Sequence, residues 1–414
     1  MDFTDMRPFE PDELPAAYEE LLADPTFRRV ASYVFPNVPF EHLAATMRGC
    51  HTCMEFQAAF CKPFLKGLVA RCATGLSGDF SAVDPTPEQQ NYTYISNHRD
   101  IVLDSGLLDL LLIEQGLSTV EIAIGDNLLI YPWIKTLVRI NRSFIVTRTG
   151  GIHDILHASQ RLSAYMRHTC NVKHTPIWIA QREGRSKDST DETQESLLKM
   201  FVMSGEGSNK ERLKGLNLTP LAISYEYDPC DYLKAQEFQL RRDVPGWHKS
   251  QADDLASMRT GIFGRKGHIH YQAAPCINAF LDTLPDNLPK PDFFAVVARH
   301  IDHAIWRGYR LYPANFVALD LLAEETRNSG PSESPTPVIT SSPHPVITLS
   351  RYNVITTPRN NAFPSADSRA EFLSYLDAQL AKVTLPEPDI PFLRRKMLEM
   401  YANPAIHQLS LTAQ

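Results

Sequence analysis

From Asn91 onward, short apolar runs rich in β-branched and aromatic residues take turns with stretches of helical periodicity. This alternation leaves few architectures open. The runs are Tyr92–Ser96, Val120–Ile124, Phe144–Val146, Pro176–Ile179, Leu218–Tyr225 and His268–Gln272. Helical stretches follow the first four, at 101–116, 128–139, 152–167 and 192–203. Strand, crossover helix and strand in succession build a parallel sheet. The expectation is an α/β fold with a mostly parallel central sheet flanked by helices.

Different textures lie on either side. Residues 1–80 read as a helical region, because Leu14–Leu22 and His42–Val69 carry apolar residues at helical spacing. A Gly/Ser/Pro-bearing connection is predicted over 77–90, and the main domain over 85–325. Helices at 274–283 and 291–308 should pack on its sheet. Residues 326–365 form a Ser/Pro-rich linker that cannot bury enough surface to order itself. Residues 366–414 read as a closing helical segment, with helices at 368–383 and 392–401.

Composition removes some functions. The net charge of -7 speaks against a nucleic-acid binder driven by bulk charge. The start, MDFTDMRPFEPDELP, is acidic and has no apolar core of a signal peptide. The most apolar stretch, 101–134, is interrupted by Asp104, Asp109, Glu114, Glu121 and Asp126, so it should not span a bilayer. A cytoplasmic protein is expected, at most peripheral on the cytoplasmic membrane face. The first 80 residues and Phe392–Tyr401 could lie on a bilayer as amphipathic helices; packing on the domain is the favoured alternative. Cys50-His-Thr-Cys53 has no second pair to complete a zinc site, and neither His268-Ile-His270 nor His300-Ile-Asp-His303 has an obvious third ligand. No metal and no cofactor are expected. Gly261–Gly267 lacks the GK(S/T) ending of a phosphate loop and reads as a turn before a strand.

The most informative segment is TYISNHRDIVLD. An apolar strand delivers Asn97-His98 at its C-terminal end, and the helix that follows carries Asp104. Functional residues favour this edge of an open α/β sheet. A His oriented by a carboxylate is a ready general base. Asp104 is the chosen partner; Asp100 stays open as partner or as helix N-cap. Two later strands end in cations: Arg142–Arg148, and Trp178-Ile-Ala-Gln-Arg182-Glu183-Gly184-Arg185-Ser186-Lys187. Guanidinium forks suit phosphate. A further strand, Leu218–Glu226, has Pro220 near its start.

In this order, NHxx…D, (F/I)-x-x-R, EG-(T/G)-R-S and a Pro-led strand resemble the four signature blocks of the glycerol-phosphate acyltransferase superfamily, in a bacterial subgroup. The region covered runs from about Asn91 to about Gln272. The resemblance implies that His98 is the base and Asp104 its partner. It implies that Arg148, Glu183, Gly184, Arg185 and Ser186 bind the acceptor phosphate, and that Pro220 shapes the acyl or acceptor pocket. The donor would be acyl-CoA or acyl carrier protein as co-substrate, and the acceptor of glycerol-phosphate type. Backbone N–H groups at the helix start after His98 are candidate oxyanion donors. Two departures stand out: five residues separate His98 from Asp104 where the family has four, and one residue is missing between Gly184 and Arg185. They keep open an inactive lipid- or carrier-binding relative, and a lipid or thioester hydrolase. No GxSxG elbow is present.

Overall fold

A computed structural model describes residues 1–83, 91–148, 150–328 and 365–412. Seven strands form its centre: β1 (Ala73–Asp79), β2 (Thr93–Ser96), β3 (Glu121–Gly125), β4 (Ser143–Val146), β5 (Ile177–Ala180), β6 (Leu218–Tyr225) and β7 (Gly267–Ala273). They lie in the order β1-β7-β6-β2-β5-β3-β4. Every neighbouring pair is parallel except β6 with β7. The fold is therefore α/β with a mostly parallel sheet, as the alternation predicts. All four residues of β2 are buried, as are all but the last of β6. Continuous apolar runs of this kind suit strands covered on both faces.

Helices cover those faces. Before the sheet come α1 (Leu14–Ala23), α2 (Pro25–Val34), α3 (Phe40–Arg48), α4 (Cys53–Phe56) and α5 (Lys62–Cys72). Within the sheet region come α6 (Leu103–Glu114), α7 (Pro132–Ile140), α8 (Ile152–Asn171), α9 (Glu195–Phe201) and α10 (Asn209–Lys214). Then follow α11 (Asp231–Asp243), α12 (Gln251–Phe263), α13 (Asn278–Thr283), α14 (Lys290–Gly308), α15 (Pro313–Asn328), α16 (Ala366–Leu380) and α17 (Ile390–Thr412). One core packs Tyr165, Phe201, Phe294 and Ile301 from α8, α9 and α14 against Ile95, Ile177 and Leu218 of the sheet. The other packs Leu107, Leu108 and Leu111 of α6 with Leu68 of α5 against Tyr94, Ile223 and Tyr271.

Several expectations need correction. Residues 73–79, read as the end of a helical region and the start of a connection, form strand β1. Gly75 and Gly78 disguise it, but Gly78 is where the chain must come close: a Cβ there would meet the Phe80 ring at 2.7 Å and Leu111 at 3.0 Å. The stretch His42–Val69 is not one helix. It breaks at Gly49–Thr52 and restarts at α4, where the Thr52 hydroxyl accepts from the Glu55 N–H. Gly261-Ile-Phe belongs to the end of α12, so only Gly264–Lys266 makes the turn before β7. Helices α11, α12 and α15 occupy ground without a predicted element, and α17 starts two residues before the predicted 392–401 and runs on to Thr412. Most of the Ser/Pro-rich linker, 329–364, lies outside the described residues, as do 84–90 of the earlier connection; 326–328 belong to α15.

The N-terminal helices bury Leu14, Tyr18, Leu21, Met47 and Phe56 together with Ile140 of α7. The closing helices bury Leu393, Met397 and Leu398 against Leu321 and Leu376. Much of the apolar surface of these helices is thus packed inside the protein, while Val30, Tyr33, Met54 and Ile390 stay exposed. Among the described residues no helix is long and apolar enough to cross a membrane.

Candidate active site

The sheet's polarity decides where the chemistry can gather. Strands β2, β5, β3 and β4 run parallel, so the segments leaving their C-terminal ends emerge along one edge. His98, Arg182, Asp126 and Arg148 follow those four strands in that spatial order.

The turn that releases His98 is built by Asn97. Its side chain donates to the Ile223 carbonyl at 2.9 Å and accepts from the Ile223 N–H at 2.8 Å. The amide thus prolongs the β2–β6 ladder with a side chain while the backbone leaves the sheet. His98 then lies with its side chain 13% exposed, its ring 5.8 Å edge-on from that of Trp178.

Asp104 is fully buried. Its Oδ2 lies 2.8 Å from His98 Nδ1 and also accepts from the N–H groups of Arg99 (2.6 Å) and Asp100 (3.0 Å). Its Oδ1 accepts from the Tyr225 hydroxyl at 3.1 Å. A carboxylate that only accepts forces Nδ1 of His98 to carry the proton, which leaves the Nε2 lone pair available. Nε2 has no hydrogen-bond partner among the described residues. The Tyr271 hydroxyl braces the same residue by donating to the Asp104 carbonyl at 2.9 Å.

Asp100 does something else. Its Oδ1 accepts from the N–H groups of Val102 and Leu103 at 2.9 and 2.8 Å, capping the start of α6. Burial, then the neighbouring Asp104, raises its pKa. The geometry therefore gives the His contact to Asp104 and the cap to Asp100. It also occupies the backbone donors expected to face an oxyanion: the N–H groups of Arg99, Asp100, Val102 and Leu103 all go to these two carboxylates.

The cation-bearing segments divide. Arg148 is partly exposed and meets the exposed Glu183 at 3.5 Å. Gly184 next to it has φ +67, in the left-handed region that suits glycine. Arg185 is only 6% exposed. Cys230, Asp100 and Asp228 act on its charge, and its Nη1 is buried without a hydrogen bond. Ser186 is fully buried, its hydroxyl turned to Asp188 at 3.3 Å. Pro220 sits inside β6, level with Ile95. The structure thus gathers His98, Asp104, Arg148 and Glu183 at one sheet edge. It turns Arg185 and Ser186 inward and leaves Pro220 in the body of the sheet.

Three contributors were given no role in the site by the sequence reading: Asn97, Tyr225 and Asp126. Asp126 Oδ1 accepts from the Arg148 N–H at 3.1 Å and so fixes the end of β4. Tyr225 carried a faint signal, since it closes a predicted strand parallel to the one that delivers His98. Beside β4 opens a cleft of about 560 Å³ lined by Met6, Asp126, Leu129, Lys135, Thr147 and His157 among others. Its size is in the range of small-molecule sites.

Buried thiols complete the inventory. Cys50 and Cys53 donate to the carbonyls of Thr46 and Phe9, and burial pushes the Cys53 thiol up to about 11. Among the described residues no three His, Cys, Asp or Glu side chains converge as a metal site.

Comparison with known proteins adds little. No protein-family model matches the chain, and no curated protein matches it. Among solved structures it is similar to the crystal structure of the 1-acyl-sn-glycerophosphate (LPA) acyltransferase PlsC from Thermotoga maritima. The identity is 9%, the match covers 70% of this chain and 93% of that one, and the TM-score is 0.35. At that TM-score the two folds share too little for function to be carried across.

Proposed function

We propose that the protein is an O-acyltransferase. It moves a fatty acyl group from acyl-CoA or acyl carrier protein to a hydroxyl of glycerol 3-phosphate or 1-acylglycerol 3-phosphate, in phospholipid synthesis. The observation that carries this reading is the His98–Asp104 contact of 2.8 Å, with Nε2 of His98 unpartnered among the described residues, at the C-terminal edge of a parallel sheet. The ordered signature blocks of the sequence support it independently. His98 Nε2 takes the proton of the acceptor hydroxyl, whose oxygen attacks the thioester carbonyl. Asp104 stabilises the imidazolium that forms. The tetrahedral intermediate collapses, the C–S bond breaks, and His98 returns the proton to the departing thiolate. No acyl-enzyme is needed. Arg148 with Glu183 and Gly184 forms the acceptor side; Arg185, Ser186 and Pro220 shape it from within. Contact with a membrane surface is brief and peripheral, as a lipid product requires.

The test is transfer of a labelled acyl group from acyl-CoA, and separately from acyl carrier protein, to a panel of acceptors. Wild type is run beside His98→Ala. Acceptor-dependent product that vanishes in the variant supports the reading. Free fatty acid released without regard to acceptor points to a hydrolase instead. No turnover with any pairing, from a folded protein, refutes an enzyme of this kind.

A further inference from the structure

Each of the four strands that end at the candidate site is followed by a charged residue, and their partners differ. Arg99, after β2, is 7% exposed and committed: one terminal nitrogen lies 2.6 Å from Asp191 and the other 2.5 Å from the Ser189 hydroxyl. Arg148, after β4, is partly neutralised by Glu183. Arg185 is buried and has no ion pair among the described residues; Cys230, Asp100 and Asp228 act on its charge. Arg182, after β5, differs in being partly exposed. It has no hydrogen bond and no ion pair among the described residues. Its Nε is buried against the protein without an acceptor, while the residue as a whole is partly exposed. Packing therefore holds this guanidinium at Nε and leaves part of the side chain to solvent.

Register says where that edge lies. Ser96 of β2 is level with Ala180 of β5, and the Gln181 N–H continues the ladder to the Ser96 carbonyl at 2.7 Å. Two residues beyond that pair, His98 and Arg182 leave adjacent strands at the same level. Adjacent strands are about 4.8 Å apart. On its other side β5 neighbours β3, which delivers Asp126 and, next to it, the Arg148 segment. Arg182 thus stands between the base and the other partly exposed cation of this edge.

We infer that Arg182 is the principal anchor for a phosphomonoester on the acceptor, in the place that the signature block assigns to Arg185. This rests on the acyltransferase reading of the site and names the residue that reads its acceptor. A pre-clamped fork with no internal partner loses little on binding a phosphate and can meet two of its oxygens at once. Arg185 is only 6% exposed, so a phosphate could reach it only inside the protein, where Asp100 and Asp228 already act on its charge. The missing residue between Gly184 and Arg185 accounts for the exchange: shortening the turn draws Arg185 inward, and Arg182 is left at the edge.

Direct binding tests the inference without requiring turnover. Glycerol 3-phosphate is titrated into wild type, Arg182→Gln, Arg182→Lys and Arg148→Gln by calorimetry, with glycerol and inorganic phosphate as companion probes. Arg182→Gln should weaken glycerol 3-phosphate at least tenfold. Arg182→Lys, which keeps charge but loses the fork, should lie between. Plain glycerol should not distinguish wild type from the variants. In the transfer assay the same Gln variant should raise the acceptor KM and leave the donor KM unchanged. Equal affinity of wild type and Arg182→Gln overturns the inference, as does failure of wild type to bind glycerol 3-phosphate. Phosphate binding that depends on Arg182 in a protein without transferase activity would keep the anion site and remove the acyltransferase reading.

Discussion

Replacing Tyr225 by Phe removes one hydroxyl and little volume, and that hydroxyl is the donor to Asp104 Oδ1. Oδ2 is saturated by His98 and two backbone N–H groups, and Tyr225 is the donor to Oδ1 among the described residues. A hydrogen bond to a charged group contributes about 1.5–3 kcal/mol. At 3.1 Å this one is long for an O–H···O⁻ contact, which places it near the lower end, at about 1.5 kcal/mol. If the lost bond lets the carboxylate turn, the imidazolium of the transition state loses a similar amount, or roughly a tenfold fall in kcat. Tyr271→Phe is the control, because its hydroxyl meets the Asp104 carbonyl and not the carboxylate. Both variants should unfold at lower urea than wild type, whereas only Tyr225→Phe should slow transfer. Urea melts and single-turnover acyl transfer on the three proteins decide the matter. If Tyr225→Phe transfers within twofold of wild type, or if the two variants slow it equally, the carboxylate is not held as described.

Two further outcomes concern the frame around the site. Asn97→Ala should cost about 2–4 kcal/mol, since both its hydrogen bonds to Ile223 are buried, the Ile223 N–H is left unpaired and its carbonyl keeps only the long contact from Arg99 Nε at 3.5 Å; a loss under 1 kcal/mol in a denaturant melt would refute the side-chain ladder. Asp109 accepts from the Val120 N–H and the Gln57 amide, and burial raises its carboxyl to about 7. The folded protein keeps this proton where the unfolded chain, titrating near 4, has lost it. Its contribution to stability is therefore full below about pH 4, declines as pH rises through the window, and is gone above about 7. Asp231 and Asp302 are also raised to about 7 by burial, so Asp109→Asn should make the decline shallower without abolishing it. Melts between pH 4.5 and 8 would show an unchanged slope if the reasoning is wrong.

The parallel sheet was legible because its central strands are short, apolar and followed by helices. The position of His98 followed from that, since a strand's end is readable from where its apolar run stops. Asp104 was legible by its place early in the next helix, and Asp100 by its fitness as a cap. β1 was hidden: Gly75 and Gly78 lower its strand propensity, and its partner β7 lies far along the chain. The antiparallel turn of β7 could not be read either, because runs of alternating residues carry no direction. The burial of Arg185 was not legible for a related reason: Cys230, Asp100 and Asp228, which act on its charge, come from segments far from it in sequence, and a motif read locally cannot see them.

The placing of β7 between β1 and β6 has a consequence for synthesis. Ser77 of β1 meets His270 of β7, 193 residues later in the chain. At ribosomal rates of 5–20 residues per second, β1 waits roughly 10–40 s for β7, the strand it pairs with among the described residues. During that interval the sheet ends at β6, whose outer edge is equally unpaired. The nascent chain therefore passes through a stage with two open strand edges awaiting one insertion. A ribosome that stalls shortly before Gly267 would hold this protein at its most aggregation-prone point.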